Sequence, residues 1–294
     1  MWMKLGVSLL LLLAASALAL AWFGPRIWAR ETELLRRALA AARVAPEQTS
    51  VDFGELHSLP EPVQRYFRKV LKHGQPVILG ARLRHDGGFN ISETGEAWKP
   101  FTSQQVVVTR RPGFDWDARI TMFPGVAVHV HDAYVAGEGI LHAALFGLFT
   151  VADLRGTADI AAGELMRFLA EAAWYPTALL PSQGVRWQGV NDHSAQATLR
   201  DGTAQVTLLF TFNDLDLITS VKAEARGRLV GKQVVATPWQ AVVSDYQQQN
   251  GMLVPMQGEV SWVTAEGLRP YWRGHVREIV YSFPRMTIEG PVVR

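Results

Sequence analysis

Asp216-Leu217-Ile218-Thr219-Ser220-Val221-Lys222-Ala223-Glu224-Ala225-Arg226-Gly227-Arg228-Leu229-Val230 is the stretch whose pattern decides the fold. In an extended chain Leu217, Thr219, Val221, Ala223, Ala225, Gly227 and Leu229 fall on one face. Asp216, Ser220, Lys222, Glu224, Arg226 and Arg228 fall on the other, with only Ile218 and Val230 out of step. Successive strand side chains point to opposite faces, so the alternation reads as a strand covered on one side. At about 3.3 Å per residue it would run to almost 50 Å, well beyond the usual five or six residues, and a strand that long must twist and coil.

The same period of two recurs on both sides. Upstream it marks 77–84, 87–97, 103–110, 114–121 and 126–135; downstream it marks 195–200, 204–212, 233–247, 252–263 and 270–283. Within 252–263, Val254, Met256, Gly258, Val260 and Trp262 share a face opposite Gln257, Glu259 and Ser261. A helix is predicted at 160–173, capped by Asp159 and stopped by Pro176 and Pro181. A shorter one opens at Leu59-Pro60-Glu61-Pro62 and stops at Gly74. Short connections between alternating segments indicate an antiparallel sheet. The expected class is α+β: a long, strongly curved antiparallel β-sheet, a half-barrel, with a few helices packed on the concave side.

The first residues carry a different signal. Lys4 precedes an unbroken apolar run from Leu5 to Phe23, which would rise about 28 Å as a helix, close to the thickness of a bilayer core. Residues 1–25 are therefore expected to be a transmembrane anchor or a signal peptide. Small residues at Ala17, Ala19 and Ala21 suit cleavage; the length of the run and the Trp22, Trp28, Arg26 and Arg30 belt suit retention. Residues 26–43 read as a juxtamembrane helix with an apolar stripe of Leu34, Leu35, Ala38, Leu39 and Ala42, and 45–58 as a polar linker. Residues 59–294 form one β-rich domain; a split near 155–190 would leave two halves with little to bury. The expected place is a bacterial inner membrane, crossed once, with the soluble domain on the periplasmic side, since long domains translocate largely regardless of charge.

Composition narrows the function. A net charge of +2 without a basic run excludes the electrostatic footprint of a nucleic-acid binder. With no cysteine there is no disulfide, thiolate nucleophile or Cys-ligated metal. No Gly-rich phosphate loop and no Gly-x-Ser-x-Gly elbow occurs.

Several residues could still build a site. Trp98, Trp116, Trp174, Trp187, Trp239 and Trp262 could line an apolar cavity or simply fill a core. Glu164, Arg167 and Glu171 fall on one stripe of the predicted helix, where a carboxylate beside an aromatic wall could bind a head group or move a proton, or pair with Arg167. Asp115, Asp117 and Arg119 share a strand face, and Arg119 is the group suited to clamp an anion on a functional concave face. His129 and His131 share a face as well. They lack the third ligand a metal needs and fit better as solvated histidines or partners of a tyrosine such as Tyr134. No metal and no cofactor is expected.

The strings LPEPVQRYF (59–67), WKPF (98–101), RPGFDWDAR (111–119), HDAYVAGEG (131–139) and GELMRFLAEAAWYPTALLP (163–181), followed by Trp187, together resemble an uncharacterised bacterial family, DUF6544 or DUF6920. The resemblance spans about 59–283 and implies no reaction. The strand layout is similar in architecture to the half-barrels of the LolA, LppX and RseB superfamily, whose concave cavity is greasy; fold likeness alone is a weak guide to function. The expected function is a membrane-tethered, non-enzymatic module holding a lipid or other hydrophobic ligand in an aromatic-lined concave sheet. The alternatives are an envelope scaffold and a membrane-linked hydrolase using Glu171, Asp117 or His131, which requires at least two of these to converge in one cleft.

Overall fold

The computed structural model describes residues 2–231 and 233–284; side chains at 2–3, 9–11, 13–19 and 21 lie outside the described residues. The chain begins with α1 (Trp2–Ala41) and α2 (Glu61–Val70). Six strands follow: β1 (Gly80–Asn90), β2 (Trp98–Val108), β3 (Gly113–Phe123), β4 (Val126–Val135), β5 (Glu138–Leu145) and β6 (Phe149–Arg155). After α3 (Ala158–Glu171) come β7 (Arg186–Asn191), β8 (Ser194–Asp201), β9 (Ala204–Phe212), β10 (Ile218–Val230), β11 (Gln233–Gln249), β12 (Met252–Thr264) and β13 (Gly267–Ser282).

All 13 strands form one antiparallel sheet in the order β6-β5-β4-β3-β2-β1-β13-β12-β11-β10-β9-β8-β7. The first and last strands pair in the middle, Gly80 opposite Ser282 and Phe89 opposite Trp272. The sheet does not close: β6 and β7 are its two free edges. The curved, open antiparallel sheet predicted from residues 216–230 is thus present. Three segments lacking clean alternation, β5, β6 and β7, extend it at the edges. In β5, His142, Ala143 and Ala144 blur the contrast between faces, and β6 and β7 are exposed on both.

The concave face holds the core. Phe101, Phe114, Trp116, Phe168, Phe210, Val221 and Trp239 belong to one buried cluster. α3 lies in the concavity and touches β4 and β5 on one side and β9 and β10 on the other. Its N-cap is Thr157, whose hydroxyl accepts from the Ile160 N–H at 3.3 Å; Asp159, the expected cap, sits inside the first turn. Val51 and Leu56, in the stretch read as polar linker, are fully buried against this core.

The 216–230 pattern needs one correction. A bulge between Ala223 and Arg226 breaks the register with β11. The extra residue reverses the faces beyond it, so Arg226 turns inward, where most of its side chain is buried, and Ala225 and Leu229 become exposed.

α1 departs from expectation too. It packs on the convex side, across β2, β3 and β4. Its seated face is Trp28, Thr32 and Leu39; Leu34, expected in the apolar stripe, is exposed. The expected membrane anchor falls largely on residues whose side chains lie outside the described set. Among the described residues no helix is long and apolar enough to cross a membrane.

Candidate functional site

The coiling sheet leaves a cavity of about 750 Å³ on its concave side, within the usual range for small-molecule sites. β3, β4 and β5 supply Trp116, Ile120, Val128, Val130 and Leu141 to one wall. β11, β12 and β13 supply Trp239, Val243, Val260, Trp262, Tyr271 and Trp272 to the other, and Trp174, just after α3, closes the inner end. The aromatic groups touch in pairs. Trp262 stacks on Tyr271 at 5.4 Å, Trp174 meets Trp272 at 6.4 Å, and Phe101 bridges Trp116 and Trp272 at 5.7 Å each.

One side of this apolar cavity is ionic. Glu164, Arg167 and Glu171 project from α3, as their spacing predicts, and all three line the cavity. Arg167 is bonded to Asp132 of β4 and pairs with Glu171 at 2.7 Å, while its guanidinium lies 4.9 Å from the Trp116 ring centre. Gln105 donates to the other Glu171 oxygen at 2.6 Å. Arg226, turned inward by the bulge, reaches Glu164 at 3.2 Å and covers Trp239 at 5.3 Å. Trp239 donates its indole N–H to the Tyr271 hydroxyl at 2.9 Å.

Burial, and then the charge of Asp132, push the Glu164 carboxyl well above the usual carboxylate range. Burial works against the Arg167 charge, but Glu171, Asp132 and Glu164 together hold it, raising its pKa. Asp132, Glu164 and Glu171 thus share Arg167 and Arg226 within one cluster. Behind the cavity His85, buried against Trp174, is lowered to about 3 by burial and by the charge of Arg167. The indole N–H groups of Trp116, Trp174 and Trp272 and one oxygen of Glu164 have no protein partner.

Of the candidates read from sequence, Trp116, Glu171, Trp174, Trp239 and Trp262 meet in this cavity. The other five do not. Trp98 lies over Gly88 under the Arg273 guanidinium, 4.5 Å from its ring centre, on the outer face. Trp187 packs against Phe67 and Phe210 and donates to the Leu179 carbonyl at 3.0 Å. Tyr134 is buried and donates to Asp201. Arg119 is exposed on the convex side, because inward-facing Trp116, Ala118 and Ile120 alternate with it.

His131 is also convex, under α1. Its Nδ1 is 2.8 Å from Asp115 and its Nε2 is 3.1 Å from the Thr32 hydroxyl. Hydroxyl, imidazole and carboxylate stand in a row, as in a nucleophilic triad. Here, however, Trp28 stacks flat on the imidazole at 4.4 Å, and all three groups are buried. Arg36 binds the second Asp115 oxygen at 2.9 Å, and Trp28 donates to Asp117 at 2.9 Å. The arrangement anchors a helix. Asp117 and His131 are direct cross-strand neighbours that share the Thr32 hydroxyl, but α1 covers them where an open cleft would be needed, and Glu171 lies on the opposite face of the sheet. Among the described residues no group of three or more His, Asp or Glu is placed to hold a metal ion.

Arg226, Tyr271, Trp272 and Asp132 complete the site without having been singled out as ligand-binding. For Asp132 and Trp272 the signal was present: each alternates with an outward neighbour, His131 and Arg273. For Arg226 the bulge hides it.

No curated protein matches this sequence. Among solved structures, the chain is similar to a LolA superfamily protein from Nitrosomonas europaea, at 8% identity over 70% of this chain and 87% of that one, with a TM-score of 0.30. It is also similar to a beta-barrel-like protein of the domain of unknown function DUF1849 from Brucella abortus, at 12% identity over 70% and 99% of the two chains, with a TM-score of 0.22. The family described as "Family of unknown function (DUF6920)" matches residues 57–281, which includes all of the cavity and every strand but the last residue of β13, and the chain belongs to that family.

Proposed function

We propose that this protein is a membrane-tethered, non-enzymatic module that takes a lipid or another hydrophobic ligand into its concave cavity. The carrying observation is the cavity itself: about 750 Å³, walled by Trp116, Trp174, Trp239, Trp262 and Trp272, with charges paired to one another. Apolar burial drives association without any reaction, and both arginines of the cavity are already paired with carboxylates.

The tether is the apolar run Leu5–Phe23. Leu5, Val7, Leu12, Trp22 and Phe23 are exposed among the described residues. The proposed setting is a bacterial inner membrane with the sheet on the periplasmic side. A scaffold role is the second reading, favoured by the free edge β6, where Phe149 and Val151 are exposed.

The test uses the full chain, since α1 is part of the packed structure. It is purified from its native host into lipid-free detergent micelles, and native mass spectra are taken before and after denaturation, with an organic extract analysed beside them. A mass excess released on denaturation is the expected result. An unliganded mass together with an empty extract would overturn the carrier reading and leave the scaffold.

A further inference from the structure

The geometry points to one end of the half-barrel as a surface that docks on a phospholipid bilayer. Strand register places the turns after β1, β3, β5, β10 and β12 at the same end. Exposed large apolar side chains gather there: Ile91, Phe123, Phe149, Val230, Val234 and Leu268. At the other end the turns at 109–112, 136–137 and 250–251 are built from Thr, Arg, Pro, Ala, Gly and Asn, and the exposed large apolar residues are fewer and scattered: Val190, Leu215 and Val280. A soluble surface does not concentrate apolar tips at one end without a partner for them.

Two observations name that partner. First, α1 runs along the convex face toward this end. Leu39 packs with Val108, Val135 and Ile140 at the far end, Trp28 sits on His131 midway, and Gly24 abuts the Phe146 carbonyl at the turn after β5. The helix continues past that turn from Phe23 back to Trp2, about 33 Å of rise, and carries the apolar run with it. Whatever bilayer holds this run lies beyond the tips. Second, two cation–aromatic pairs stand at this end, Lys99 at 4.9 Å from the Phe123 ring centre and Arg26 at 3.5 Å from that of Trp22, the pairing found at membrane interfaces, beside the exposed Glu93, Glu96 and Glu266.

The cavity opens at the same end, where Ile91, Met122, Val151, Leu229 and Val234 are part of its lining. Docked tips would let a lipid pass between bilayer and cavity without crossing water. This step rests on the carrier reading; the docking rests on the tether of that reading and needs no ligand.

The chain has no cysteine, so single labels are unambiguous. Full-length protein bearing Phe123→Cys, Val234→Cys, Glu138→Cys or Gln248→Cys is labelled with a fluorophore. It is reconstituted into vesicles of phosphatidylethanolamine and phosphatidylglycerol that contain head-group nitroxide lipid. All four positions are exposed, so none disturbs the core. Quenching at 123 and 234 is expected to exceed that at 138 and 248 several-fold; equal quenching at the two ends overturns the docking surface. Native mass spectra of the same samples separate the two ideas. Quenched tips on a ligand-free protein would defeat the carrier and keep the docking, whereas a bound lipid with unquenched tips would do the reverse.

Discussion

The Tyr134 hydroxyl donates to Asp201 at 2.9 Å, although eight strands, β9 to β13 and β1 to β3, lie between their strands in the sheet. The contact is made possible by the coiling that long strands impose, and it pins two distant parts of the sheet together. Arg111 binds the other Asp201 oxygen at 2.5 Å. Tyr134→Phe removes one buried bond to a charged acceptor, and a loss of about 1.5–3 kcal/mol in chemical denaturation is expected. Asp201→Ala should cost more, since it also leaves Arg111 without its partner. An unchanged midpoint for Tyr134→Phe would mean that the pin contributes nothing.

Arg226 and Glu164 are each about one-tenth exposed. Arg226→Met takes a charged donor away from the buried Glu164 carboxyl and the Tyr271 hydroxyl, so it is expected to cost about 1–3 kcal/mol, and the double change with Glu164→Gln to recover part of it. The pH dependence has a definite sign. The raised Glu164 pKa means that above about pH 4.5 the folded chain keeps a proton the unfolded chain has released. Stability from this group is full below that pH and is lost as pH rises through the folded value. Glu164→Gln should flatten that fall; an unaltered slope in the variant would place the proton elsewhere.

His85 titrates in the opposite sense. Its folded value of about 3 lies below the ordinary 6.5, so between those limits the unfolded chain binds a proton that the folded chain refuses. Stability is therefore lost as pH falls from about 6.5 toward 3, with a slope approaching one proton. In denaturation series across that range, His85→Gln should lose this slope while Ser103, its partner at 3.2 Å, stays in reach of the amide. Acid sensitivity that survived the substitution would belong to another group.

The period-two segments were enough to give the sheet, because alternation follows directly from strand geometry. They also assigned Trp262 to its inward face, with Val260 and Gly258. What could not be read was whatever depends on a break in the period. One inserted residue near Ala225 moves Arg226 from the solvent side to the cavity with no change in composition. Trp98 and Trp187 differ from Trp116 only in strand phase and curvature, so it is the folded sheet that separates lining from packing. The histidines of β4 looked solvated because the helix that covers them begins about 100 residues earlier.

That helix gives a prediction of its own. Trp28 is 4% exposed and touches His129, His131 and His142 at once. Trp28→Ala removes a large buried aromatic, a change that usually costs about 3–5 kcal/mol. Because the seat lies on the convex face, away from the main core, the loss should be local. Amide exchange should rise across residues 26–41 and over β4, while β11 and β12 keep their protection. Protection lost uniformly across the sheet would show instead that α1 is integral to global folding.

The cavity can be filled without touching the rest of the core. Ala143 of β5 and Ala241 of β11 both line it. Replacing either with Trp adds an indole to space that is empty in the folded protein, so the overpacking penalty of a filled core does not apply in full. If the cavity holds the ligand, Ala143→Trp and Ala241→Trp should each reduce the bound lipid recovered in native mass spectra by several-fold, with the denaturation midpoint nearly unchanged. The combined variant should be essentially ligand-free. Were lipid recovery indifferent to both, any ligand would sit elsewhere, and the tryptophans of the concave face would be core residues around an unused space.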